Sequence, residues 1–141
     1  MNYDKEKLVD QLIEHEGLEL QPYECTAGKL TIGIGRNLDD RGITEDEARF
    51  LCNNDIEIVE SELARNFPVI DRLDDVRCRV LLDMAFNIGV PRLSAFRKMW
   101  GALEEGDYRR AAMEMLDSKW ARQVKGRAKR LSKMMETGKD G

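Results

Sequence analysis

Glu16 stands just before Gly17, closing a segment in which Leu8, Val9, Leu12 and Ile13 recur at helical spacing after a candidate Asp4 cap. A carboxyl group at a helix C-terminus, when partly buried, keeps its proton more tightly than one in open water. Such a group suits proton donation to a leaving oxygen, the first requirement of glycoside hydrolysis. The second requirement is a group that handles water or the oxocarbenium-like carbon. On position alone, a solvated acid at a helix end is the commoner reading of Glu16.

The residues that follow change character. Leu30, Ile32 and Ile34 alternate with Thr31, Gly33 and Gly35, the period-two pattern of a strand, and Thr26-Ala27-Gly28 supplies a turn before it. Two glycines leave the polar side of that strand nearly bare. Glycine weakens a strand, so its presence there predicts close approach by a ligand or by another part of the backbone.

The run EHEGLELQPYECTAGKLTIGIGR contains Glu16, eight residues, Cys25, five residues and Thr31. This spacing, followed by TIGIG, resembles the catalytic signature of the phage T-even-type lysozymes, glycoside hydrolase family twenty-four. The likeness extends through DDVRCRVLLDMAFNIG, SAFRKMW, AAMEML, SKW and GRAKR, nearly the whole chain. It implies that Glu16 is the proton donor, Cys25 the second catalytic residue and Thr31 the partner that helps hold the attacking water. Cys25 stands where many members carry Asp, which puts this chain with the endolysins that have Cys there. The resemblance also makes Phe86 and Asn87 residues of the far side of the substrate cleft, and Arg127 an arginine that approaches the catalytic Glu. It calls for no cofactor and no metal.

Arg36, where members often carry His, is expected to alter only an ion pair between lobes. Cys25 touches mechanism. A free thiol has a pKa near 8.5, and the neighbouring Glu16, Glu19 and Glu24 are expected to suppress its ionisation further. Arg36 or another cation is then needed to stabilise a thiolate.

The elements that must carry these residues are also marked. Thr44 to Glu47 reads as a capping box, with Ile43 and Ala48 as a weak staple. The helix it starts carries Ala48, Leu51, Cys52, Ile56, Val59 and Leu63 on one stripe, ends near Pro68, and is long enough to be a spine between two lobes. Asp74 or Asp75 caps VRCRVLLDMAFNI, apolar around its axis as a central core helix must be, with Gly89 and Pro91 at its end. Helices over Ser94–Leu103, Asp107–Leu116 and roughly Gly126–Met135 follow. The expected fold class is α+β, a small antiparallel sheet lobe joined by a long helix to a mainly helical lobe. The expected organisation is a single domain over 1–141, with about 14–66 as β-lobe plus connecting helix and 1–13 with 67–141 as the helical lobe.

Composition fits this. With 42% hydrophobic and 35% charged residues over 141 positions, the chain has the make-up of one ordinary globular domain. No apolar run is long enough for a signal peptide or a spanning helix, so residence in the host cytoplasm before release is expected, without stable membrane insertion. Three widely spaced cysteines (Cys25, Cys52, Cys78) suit reduced thiols better than a disulfide framework. The net charge of −4 hides an acidic first half and a basic second half, sharpest from Lys119 to Lys133. A basic face is usually only solvated; the functional alternative is attraction to a polyanion such as nucleic acid or cell wall.

Three functions compete. The resemblance favours a monomeric muramidase acting on peptidoglycan, with no nucleic-acid partner and holin-dependent release. The lack of a second carboxylate keeps open a lytic transglycosylase, and the basic segment a non-catalytic wall-binding module.

Overall fold

The computed structural model describes residues 1–141. Its elements, in chain order, are α1 (Lys5–Glu16), β1 (Glu19–Glu24), β2 (Leu30–Gly33), β3 (Arg36–Asn37), α2 (Glu45–Asn66), a 3₁₀ turn (Pro68–Arg72), α3 (Asp75–Ile88), α4 (Val90–Ser94), α5 (Arg97–Glu104), α6 (Tyr108–Leu116), α7 (Lys119–Val124) and α8 (Gly126–Thr137). The fold is α+β, as the sequence pattern predicts. The chain divides into two compact units, residues 1–51 and 52–141, and α2 begins in one and continues into the other.

In the first unit, the Asp4 side chain accepts from the Lys7 amide at 3.0 Å, which starts α1, and Gly17 at φ +85° ends it. Glu16 is therefore the last helical residue, as expected. The three strands form an antiparallel sheet in the order β1-β2-β3, with Tyr23 opposite Thr31 and Thr31 opposite Asn37. The anticipated turn joins β1 to β2: the Gly28 amide donates to the Cys25 carbonyl and the Cys25 amide to the Lys29 carbonyl, each at 2.9 Å.

The continuous strand expected through Gly35 is not found. Gly33 and Gly35 adopt φ of +72° and +71°, a region that L-residues avoid, so the chain reverses there and returns as β3. The capping box does form. The Thr44 amide donates to Glu47 Oε1 at 2.9 Å and the Glu47 amide to Thr44 Oγ1 at 3.2 Å. The apolar stripe of α2 is buried only toward its end, at Leu63, with Val59 packed against the core; Ala48, Leu51 and Cys52 are exposed.

The second unit holds all the buried apolar side chains. Asp74 accepts from the Arg77 amide and starts α3, whose Val80, Leu81, Met84 and Ala85 are buried at its centre. α8 packs on α3 and α6, and α6 on α5. Trp100 stacks on Phe67 with ring centroids 3.7 Å apart and donates its indole N–H to the Leu93 carbonyl. Arg77 lies over the Tyr108 ring and donates to the Met135 and Glu136 carbonyls, satisfying acceptors that the end of α8 leaves open.

Two expectations for this unit need correction. Pro91 does not close α3; Gly89 does, and Pro91 lies in the first turn of α4, where its missing N–H costs nothing. The helix expected from Ser94 begins at Arg97, because 90–94 form a helix of their own.

Candidate active site

Glu16 is delivered to the sheet by the cap of α1. A Cβ built on Gly35 would lie 3.1 Å from Glu16 Oε2, so the carboxylate occupies the space a side chain there would fill. What comes close at Gly35 is the Glu16 side chain, not the backbone or ligand that the glycines predict, and a Cβ on Gly33 would meet nothing within 4 Å. The partial burial anticipated for Glu16 is absent; the residue is exposed.

Cys25 and Thr31 are brought together by one peptide group. The Lys29 carbonyl accepts both the Cys25 amide and the Thr31 hydroxyl, each at 2.9 Å. Thr31, 4% exposed, is the only buried residue of the first 51. The Cys25 thiol pKa lies below its ordinary value, first through the main chain of Lys29 and next that of Ala27, with a smaller part from the Thr31 hydroxyl against the cost of desolvation. This reverses the expectation that neighbouring acids suppress ionisation. A turn rich in main-chain N–H groups favours an anion without any counter-cation.

Arg36 is not that counter-cation. It donates to Glu47 Oε1 at 2.8 Å and to the Gly42 carbonyl at 3.2 Å, with a second contact to Glu47 Oε2 at 2.8 Å. The guanidinium and the Thr44 amide hold the Glu47 carboxyl down at about 2. Its ion pair joins β3 to the first turn of α2 inside the first unit, rather than one lobe to another.

In the second unit, Phe86 is 44% exposed, so it is not plain core. It lines a cavity of about 520 Å³ with Ile56, Leu82, Arg127 and Leu131. Asn87 Oδ1 accepts the Trp120 indole N–H at 2.6 Å, and Trp120 meets Phe96 edge to face. Arg127 forms two hydrogen bonds to Asp83 Oδ1, at 2.9 and 2.6 Å. Asp83 and Trp120 carry these contacts without having been singled out from the sequence. The signal for Trp120 was the SKW run itself, since Ser118 caps the short α7 that orients the indole.

The family described as Phage lysozyme matches residues 13–136. This chain belongs to the phage lysozyme family. Among similar proteins, "Probable T4-type lysozyme 1" of Dictyostelium discoideum is 28% identical, over 92% of this chain and 93% of that protein. An "Endolysin" of Acyrthosiphon pisum secondary endosymbiont phage 1 is 31% identical, over 77% of this chain and 73% of its own length. "Pre-baseplate central spike protein Gp5" of Enterobacteria phage T4 is 28% identical over 93% of this chain but only 28% of that protein. The matched region thus recurs both in proteins of similar length and inside a larger polypeptide. Membership points to a glycosidase-type enzyme. No helix of the chain is long and apolar enough to cross a membrane.

Proposed function

We propose that this phage lysozyme is an endolysin muramidase, hydrolysing the β-1,4 bond between N-acetylmuramic acid and N-acetylglucosamine in peptidoglycan. The observation that carries the reading is the seat of the Glu16 carboxylate against Gly35, just after β2, the strand that carries Thr31 and follows the turn of Cys25. By the family resemblance the reaction inverts, and inverting glycosidases keep their two groups roughly 6.5–9.5 Å apart to leave room for water. The proposed roles follow: Glu16 protonates the leaving oxygen, while Cys25, as thiol or thiolate, orients water with Thr31 on the opposite face of the sugar. Cys25 here takes the place of a carboxylate, and the amide-rich turn supports its charge. Phe86, Asn87 and Arg127 are the proposed glycan contacts.

We further propose that residues 1–141 act as one monomeric domain without a cofactor. By the family resemblance, the protein would wait in the host cytoplasm until a holin opens the route to the wall, and lysis follows.

Product analysis on purified peptidoglycan tests the reaction. Reducing-end muramic acid is expected, and 1,6-anhydro ends would instead assign a lytic transglycosylase, for which Cys25 is dispensable. Glu16→Gln should abolish turbidity loss of outer-membrane-permeabilised cells; undiminished lysis would move the activity to the basic segment. Cys25→Ser should lose most of the rate and Cys25→Asp should retain it.

A further inference from the structure

The peptide group joining Lys29 to Leu30 is held from both ends. Its carbonyl, the Lys29 oxygen, accepts the Cys25 amide and the Thr31 hydroxyl at 2.9 Å each. Its N–H, on Leu30, donates to Asp39 Oδ2 at 2.7 Å. The backbone ladder toward β3 cannot supply that acceptor. β3 is two residues long, and its last bond is from the Leu38 amide to the Leu30 carbonyl at 2.7 Å. Beyond it the chain turns away, and the Asp39 carboxylate takes the position of the missing strand carbonyl.

The loop that carries Asp39 is itself fixed. The Asp40 amide donates to Asn37 Oδ1 at 2.9 Å, Asn37 Nδ2 donates to Asp40 Oδ2 at 3.0 Å, and Lys29 Nζ lies 3.3 Å from Asp40 Oδ1. The Arg41 and Gly42 amides continue it with bonds to Asn37 and Leu38.

From this geometry we propose that Asp39 is a positioning residue for the Cys25–Thr31 pair, acting through the Lys29–Leu30 peptide. The proposal rests on the muramidase reading for its effect on rate. A peptide is planar and trans, so anchoring the N–H fixes the direction of the carbonyl on the far side. An acceptor on the N–H also polarises the peptide and strengthens the two bonds its carbonyl accepts. While Cys25 holds its own proton, the Thr31 hydroxyl donates to the Lys29 carbonyl, and its lone pairs then face whatever approaches it. Without Asp39 the peptide is free to tilt, and both groups that would orient water lose their common reference. Substrate binding, which draws on other parts of the protein, is left alone.

The expected signature is a change in kcat with little change in KM. Asp39→Ala should lower kcat about tenfold, in keeping with the sensitivity of rate to small misplacements, while KM stays within about twofold. Asp39→Asn keeps an acceptor oxygen without the charge, and should keep most of the lost rate. Equal loss in Asn and Ala variants would assign the effect to charge and overturn the positioning role, as would an unchanged kcat in Asp39→Ala or a loss confined to KM. Should the alanine variant fold poorly, amide exchange of the unaltered protein still decides. The Leu30 amide should be protected well beyond that of Thr26, an exposed turn residue, and equal exchange would remove the anchor. That exchange result does not depend on the reaction. If peptidoglycan is not cut at all, the muramidase reading fails while the anchor can still stand.

Discussion

The two units of this lysozyme are built on different forces. Residues 52–141 bury an apolar core running from Leu63 to Met135, with Val80, Leu81, Leu93, Met99 and Met115 wholly inside. Residues 1–51 bury one side chain, and it is a threonine. What shapes the smaller unit is polar and directional: the Asp4 cap, the peptide shared by Cys25 and Thr31, Asp39 on Leu30, and Arg36 on Glu47. Apolar burial is non-directional, whereas a hydrogen bond constrains both the distance and the angle between its partners. The comparison teaches why proton transfer and water positioning are expected of the second kind of construction: it fixes direction, and it does so at little thermodynamic depth.

The sharpest way to break the contrast is to damage the core. Met84→Ala should destabilise the large unit by roughly 2–5 kcal/mol, the usual range for emptying a buried methionine site. Denaturant unfolding followed by far-ultraviolet circular dichroism reads it, and a cost under 1 kcal/mol would mean the core is loosely packed.

Gly35→Ala comes next. Forcing φ +71° on an L-residue costs about 1–2 kcal/mol, and the new methyl must displace the Glu16 carboxylate. Gly33→Ala carries the same backbone strain with open space around it. Both should loosen amides of residues 30–37, but only Gly35→Ala should lower the lytic rate about tenfold or more. Equal rates in the two variants would separate Glu16 from the glycine turn.

The smallest effect is a pH dependence. The folded value of Glu47, about 2, lies below its ordinary 4.5. The contribution of its pair with Arg36 is therefore complete above pH 4.5 and fades as pH falls toward about 2. Amide exchange near the start of α2 should quicken over that window in the parent. In Glu47→Gln the window should vanish.

Much of the larger frame was legible in the sequence because caps and periodicity are local. Asp4 and Gly17 fixed Glu16 at a helix end, Thr44 and Glu47 started α2, and Asp74 started α3. What escaped was the short or the non-periodic. α4 and α7, of five and six residues, are too brief for a 3.6-residue pattern. Leu30 to Gly35 reads as one strand because apolar alternation carries no information on φ, and the sign of φ at Gly33 and Gly35 is what turns the chain. The site shows the same division. Glu16 was readable from its cap, and the family spacing pointed to Cys25 and Thr31. The turn amides that favour a thiolate, the diversion of Arg36 to Glu47 and the reach of Asp39 across nine residues to Leu30 exist only once the hairpin closes.

Both tryptophans of the chain, Trp100 and Trp120, lie in the larger unit, one stacked on Phe67 and the other bonded to Asn87. Intrinsic fluorescence excited at the indole band therefore watches one half of the molecule. The hairpin that carries Cys25 and Thr31 has only Tyr23 as a chromophore, so it can open and close unseen by that signal. Activity and indole emission measured through the same melt need not report the same transition, and a gap between them would give the temperature range in which an intact core carries an unmade site.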